Sequence, residues 1–85
     1  MKSLEAFVER ENKWSAIFNG KPLSLNSAAD RQKIADKIDS QLSPEHLTCD
    51  GELSASEVRQ RHTFLTQAAR ELMSIDSSVK FYEFA

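Results

Sequence analysis

Three segments of the chain carry hydrophobic residues at helical spacing. They cover residues 3–18, 27–42 and 54–75, and each places its apolar residues three or four positions apart with polar residues between them. That spacing is typical of an amphipathic helix, because residues three and four apart share one face. The pattern therefore predicts three helices, each with one buried stripe.

The apolar stripes define the predicted core. The first contains Leu4, Phe7, Val8, Trp14 and Phe18; the second contains Ile34, Ala35, Ile38 and Leu42; the third contains Leu65, Ala69 and Leu72, flanked by Phe64, Ala68, Met73 and Ile75. Glu11 interrupts the first stripe, and we expect it to form a salt bridge, with Arg61 as the candidate partner. The charged residues of the second segment are predicted to face water, namely Arg31, Lys33, Asp36, Lys37 and Asp39.

Turn and capping residues mark the ends of these helices. Asn19-Gly20 predicts a stop for the first helix, since Asn and Gly tolerate the left-handed backbone found at helix ends. Ser27 with Asp30, and Ser54 with Glu57, have the serine-to-acid spacing of a capping box. Pro44 is expected to open a single turn over residues 45–47, because proline is well tolerated at a first helical position.

Two further segments have an extended pattern. Residues 21–25 form a short connector, and residues 79–84 alternate between apolar and polar side chains as a strand does. An isolated short strand needs a partner, for which residues 23–25 are the first candidate; otherwise the tail packs as an extended arm across the helices. We therefore predict a mainly α single domain over residues 1–85, with three helices, an extended connector and a strand-like C-terminal segment.

Composition narrows the classes of function. The 85 residues include thirteen acidic and eleven basic side chains, for a net charge of −2, which argues against a dedicated nucleic-acid-binding protein. The single cysteine, Cys49, cannot form an intramolecular disulfide. No apolar run approaches the roughly 20 residues of a membrane span, and the N-terminus lacks the apolar centre of a signal peptide. We expect a cytoplasmic protein.

Catalytic motifs are missing from the sequence. His46, Cys49 and His62 do not have the spacing of a compact zinc site, and His46 with Cys49 lacks a third group to orient the imidazole. The glycine-rich phosphate loop and the nucleophile elbow do not occur. The sequence therefore favours a protein that is not an enzyme and has no cofactor.

The segment before the third helix resembles the second half of the calcium loop of the EF-hand family. The matching residues are Asp50, Gly51, Leu53, Ser54 and Glu57, with Glu57 in the final, bidentate position. The first half of the loop would begin at His46 and Thr48, which departs from the family pattern of carboxylate ligands. The resemblance implies a degenerate, calcium-responsive loop with Asp50 and Glu57 as ligands. A simple turn followed by a capped helix accounts for the same residues.

Two binding functions complete the sequence-based interpretation. Arg59 and Arg70 share a face of the third predicted helix and could contact phosphates, so a nucleic-acid-binding accessory protein is one alternative. The favoured function is a protein–protein interaction or regulatory module that binds another protein. Its predicted contact residues are aromatic, because aromatic side chains are enriched at the centres of interfaces: Trp14, Phe81, Tyr82 and Phe84.

Overall fold

The computed structural model describes residues 2–83, and this part of the chain is mainly helical. Its elements in chain order are α1 (Lys2–Ile17), α2 (Ala28–Leu42), α3 (Pro44–Thr48) and α4 (Ala55–Ile75). The three long helices confirm the mainly helical prediction. The short α3 makes a fourth helix out of the turn expected after Pro44.

The core lies where α4 packs against the other helices. α1 runs antiparallel to α4, since the Leu4 amide donates to the Glu71 carboxylate over 3.3 Å and Phe7 packs on Phe64. α2 packs on α4, and α3 contacts both of these helices. The largest fully buried side chains are Phe7, Leu4, Ile34, Ile38, Leu65 and Leu72. Each contributes about 1.5–3 kcal/mol to folding through removal of apolar surface from water.

Both predicted helix caps are present. The Ser54 hydroxyl accepts from the Glu57 amide over 3.2 Å, and the Glu57 carboxylate accepts from the Ser54 amide over 3.1 Å. Hydrogen bonds that the backbone and the side chain of Ser54 make to the Glu57 carboxylate hold the pKa of Glu57 below its usual value. At the start of α2, the Ser27 hydroxyl accepts from the Asp30 amide over 3.3 Å. Each cap satisfies helix amides that otherwise lack an intrahelical partner.

The predicted stop at Asn19-Gly20 is also confirmed. Asn19 has a φ of 57°, and its amide donates to the Ala16 carbonyl over 3.2 Å. The Gly20 amide reaches back to the Ser15 carbonyl over 2.8 Å. These two bonds form a Schellman motif, in which asparagine takes the left-handed position more often given to glycine.

The predicted pairing of residues 79–84 with residues 23–25 is wrong for the part of the chain that is described, where no residue lies in a β-strand. Phe84 lies outside the described residues. Side-chain amides take the place of a neighbouring strand. Asn12 accepts from the Leu23 amide over 2.7 Å and donates to the Leu23 carbonyl over 3.1 Å. Gln32 makes the same two bonds with Lys80, over 3.0 and 3.1 Å. We call these pairs the amide clamps.

Two residues predicted to face water instead make tertiary contacts. Asp39 is only 7% exposed, and its carboxylate accepts from the Tyr82 amide over 2.7 Å and the Glu83 amide over 3.0 Å. The half-buried Arg31 donates to the Asp76 carboxylate and to the Leu25 carbonyl, both over 2.8 Å. The prediction failed because the sequence of α2 does not show that residues 25, 76, 82 and 83 will contact these side chains.

The Arg31–Asp76 contact predicts an acid-sensitive contribution to stability. Hydrogen bonds from the Ser78 hydroxyl and from Arg31 lower the pKa of Asp76 from 3.8 to about 2. Because the folded-state pKa is the lower one, this stabilisation is complete above the unfolded-state value and is lost as the pH falls from 3.8 towards about 2. The urea midpoint should therefore drop over that window, and the drop should be smaller in Asp76→Asn.

The matched control for this measurement is Glu52→Gln, which removes one carboxylate from an exposed turn. We expect it to leave the acid dependence of the urea midpoint close to that of the unmodified chain. If Asp76→Asn and Glu52→Gln change the dependence equally, the effect reflects overall charge and the specific role of Asp76 is contradicted.

Candidate interaction surface

The apolar stripe of α1 continues past the end of the core. Leu4 and Phe7 are fully buried, but Trp14 and Phe18, which follow them on the same stripe, are 59% and 77% exposed. Ile17, one turn after Trp14, is 67% exposed. Trp14, Ile17 and Phe18 stand at spacings of three and four residues and so share one side of the end of α1. We call these three residues the α1 patch.

A polar cluster separates the α1 patch from the core. The Arg10 guanidinium lies over the rings of Phe7 and Phe64, at 5.3 and 5.4 Å from their centroids. Arg10 also donates to Gln41 over 2.8 Å, and Gln41 donates to the Glu11 carboxylate over 2.7 Å. These contacts satisfy the polar groups at the end of the core, so the apolar contacts between α1 and α4 stop at this level.

The predicted partner of Glu11 was wrong. Its carboxylate contacts Gln41 and lies 3.9 Å from Arg10, whereas Arg61 donates to the His46 carbonyl over 3.3 Å. Glu11 therefore helps to close the core through contacts with its own helix and with α2. Its position in the sequence, between Phe7 and Trp14, marks the point where the stripe changes from buried to exposed.

The α1 patch is comparable in area to the largest apolar patch on a typical monomer. Its three side chains together expose roughly 400 Å² of apolar surface, given their exposed fractions and the usual areas of such side chains. The largest apolar patch on a typical monomer is about 300–600 Å² and often has a function. Lys13, which pairs with Glu9 over 3.2 Å, and the exposed Lys21 lie on either side of the patch along the chain.

The predicted C-terminal aromatic cluster is divided between two environments. Phe81 is half-buried and packs against the core, whereas Tyr82 is 79% exposed. Phe84, the third member, lies outside the described residues. Trp14 and Tyr82 are therefore the two predicted interface aromatics whose exposure in the structure makes them accessible to a partner.

The segment that resembles a calcium loop has a different local structure. His46 and Thr48, where the loop would begin, belong to α3, and Glu57 uses its carboxylate in the capping box. Cys49, Asp50 and Gly51 all have positive φ values. Among residues 2–83, no group of three or more His, Cys, Asp or Glu side chains is arranged to hold a metal ion.

The two arginines of the nucleic-acid alternative lie on the exposed side of α4. Arg59 and Arg70 are both exposed, and their sequence separation corresponds to about 16 Å along the helix axis. Thr63 and Gln67 separate them on the surface, and neither carries a charge. The positive charges of Arg59 and Arg70 therefore stand far apart, and the described part of α4 has no continuous basic stripe.

Comparison with known proteins gives no relative: no protein-family model, curated protein or solved structure matches this chain. None of the helices described here is long and apolar enough to cross a membrane. The candidate surface consequently rests on geometry and exposure alone.

The sequence indicated only part of this surface. Trp14 was placed both on the stripe of the predicted core and among the contact residues, Phe18 was placed only on that stripe, and Ile17 was not singled out. Glu11 carried the relevant signal, because a charged residue within an apolar stripe can mark the end of a core as well as a salt bridge inside it. Helical periodicity cannot distinguish these two arrangements, since both keep the same spacing.

Proposed function

We propose that this protein is a non-enzymatic interaction module that inserts the α1 patch into an apolar groove on another protein. The exposure of Trp14, Ile17 and Phe18 on one side of the last turns of α1 supports this function. A helix that presents side chains at positions i, i+3 and i+4 is a common way to fill such a groove. Trp14 is the expected anchor, because tryptophan is enriched among the residues that dominate binding energy.

The size of the patch favours a different protein over a second copy as the partner. Two copies that met through this patch alone would bury roughly 800 Å² in total, below the 1,200–2,000 Å² of a stable specific interface. A groove can also cover the sides of α1 and so bury more surface around the same three side chains. The exposed Lys21, three residues after Phe18, favours a groove with an acidic residue at its rim.

The test compares two double variants in capture of a partner from a lysate of the source cell. Trp14→Ala/Phe18→Ala removes most of the α1 patch, and we expect it to weaken binding of the captured protein by about 100-fold or more. The matched control is Met73→Ala/Ile75→Ala, which truncates two exposed apolar side chains of α4. The control should retain the partner, and circular dichroism should show that both variants are folded at the temperature of the capture.

Other outcomes would point to the alternatives. Equal capture by both double variants would contradict the α1 patch, and loss of capture in Tyr82→Ala alone would move the interface to the C-terminal aromatics. Recovery that is abolished by nuclease would favour the Arg59 and Arg70 surface, whereas recovery only with calcium would favour the loop containing Asp50 and Glu57. Binding to phosphatidylcholine vesicles that depends on Trp14 and Phe18 would replace the protein partner with a lipid surface.

A further inference from the structure

The residues that follow α4 lie along α2 as an arm without regular secondary structure, with a bend at Tyr82 and Glu83. We call residues 79–83 the C-terminal arm. Four of its backbone groups are bound by only two side chains of α2. Gln32 binds both the amide and the carbonyl of Lys80, and the Asp39 carboxylate accepts from the amides of Tyr82 and Glu83.

Gln32 and Asp39 stand two helical turns apart, so they lie on the same face of α2. Gln32 holds the arm at Lys80, and Asp39 accepts from two consecutive amides in the bend at Tyr82 and Glu83. One face of α2 therefore holds the arm at both ends of this short stretch.

Alternate side chains of the arm face the core. Val79 is only 9% exposed and Phe81 packs against the core, whereas Lys80 is exposed and Tyr82 is 79% exposed. The outward residues contact α2 through their backbone groups, so their side chains are not selected at this surface. The contacts specify an apolar residue followed two positions later by an aromatic residue, with a bend directly after it.

We infer that this face of α2 is a binding slot for a segment of a partner protein with the pattern apolar–any residue–aromatic followed by a bend. The slot is centred on Gln32 and Asp39, and in this structure the chain's own arm fills it. The arm demonstrates the chemistry of the ligand, because its backbone bonds and its Val79 and Phe81 contacts are available to any segment of the same pattern. This slot is separate from the α1 patch, so it stands or falls independently of the proposed function.

The arm also acts as a competitor that reduces the affinity of the slot for an external peptide. A tethered segment has an effective local concentration in the millimolar range when its linker is short and flexible. An external peptide must displace it, so the slot should bind strongly only when the arm is weakened. Partner binding in this manner would release Tyr82 and Glu83 from Asp39.

The first test uses the full chain with Val79→Ser/Phe81→Ser and a labelled synthetic peptide that has the sequence of residues 76–85. Fluorescence anisotropy should show that this variant binds the peptide at least about tenfold more tightly than the unmodified chain does, since the competing arm is weakened. Adding Gln32→Ala and Asp39→Asn should abolish the binding, because Asp39→Asn turns an NH₂ donor towards backbone amides that are themselves donors. A peptide with serine in place of its valine and first phenylalanine is the control and should not bind.

The second test needs no substitution in the arm, so it remains informative if Val79→Ser/Phe81→Ser does not fold. Isotope-labelled unmodified protein is mixed with the unlabelled peptide in millimolar excess. The amide resonances of Lys80, Tyr82 and Glu83 should move to the positions of an unbound chain, while those of α4 stay unchanged. Absence of this displacement, or equal binding of the serine-substituted control peptide by the folded variant, would overturn the inference.

Discussion

Phe7→Ala should lower the free energy of unfolding by about 3–5 kcal/mol, the usual cost of removing a buried phenylalanine side chain. Phe7 is fully buried, its ring centroid lies 6.5 Å from that of Phe64, and it supports the Arg10 guanidinium at 5.3 Å. The substitution therefore leaves a cavity and also removes one of the two aromatic rings that the Arg10 guanidinium contacts. For a chain of this size, total stability is about 4–13 kcal/mol, so Phe7→Ala should unfold in mild urea.

The control for Phe7→Ala is Phe18→Ala, which makes the same chemical change at the exposed end of the same stripe. Phe18 is 77% exposed, and exposed substitutions usually change stability by less than about 0.5 kcal/mol. Urea unfolding followed by helical circular dichroism measures both variants. Equal destabilisation would show that Phe18 is part of the core and would remove it from the α1 patch.

The second large effect is expected at Arg31. Its guanidinium joins the Leu25 carbonyl, in the connector before α2, to the Asp76 carboxylate at the end of α4. Arg31→Ala should lower the free energy of unfolding by about 2 kcal/mol, because a hydrogen bond with one charged member, such as that to the Leu25 carbonyl, contributes about 1.5–3 kcal/mol. One side chain thus fixes two segments that are far apart in the sequence, and both lose their attachment together.

Two control variants separate this role from a simple change of charge. Lys33→Ala removes a positive charge from an exposed position of the same helix and should have little effect. Arg31→Lys keeps the charge but loses the planar fork of donors, so it should recover only part of the stability. If Arg31→Ala and Lys33→Ala have the same urea midpoint, the tertiary role of Arg31 is contradicted.

Local signals in the sequence were sufficient to predict the helices and their ends. The pairing of Ser54 with Glu57 depends on residues three positions apart, and the Schellman motif at Asn19-Gly20 depends on a single turn. Such interactions form within one segment, so the residue types carry most of the information. The three long helices and the N-caps at Ser27 and Ser54 were predicted correctly for this reason.

Contacts across long separations could not be predicted in the same way. Asp39 was placed on the solvent face of α2, because nothing near it in the sequence shows that backbone amides 43 and 44 residues away will reach it. The amide clamps of Asn12 and Gln32 are similar, since an amide side chain on a helix usually faces water. Side-chain-to-backbone bonds of this type have no periodic signature.

The position of the α1 patch along the chain could be predicted from the sequence, but its exposure could not. Periodicity correctly placed Trp14 and Phe18 on the stripe that also contains Leu4 and Phe7. It could not show that the core would end near Glu11, because the end of a core depends on how far the neighbouring helices extend. The exposure of the α1 patch therefore follows from tertiary packing and not from the local sequence.

The amide clamps also bear on how the chain avoids self-aggregation. The segments around Leu23 and Lys80 lie outside the helices and carry apolar or aromatic residues, a combination that promotes cross-chain β pairing when an edge is open. A neighbouring strand would form hydrogen bonds with the backbone groups of such a segment, but it would present its own free edge to the next molecule. The side-chain amide of Asn12 or Gln32 satisfies one amide and one carbonyl and has no further edge to offer. Each clamp therefore occupies backbone groups through which a second chain would begin β pairing.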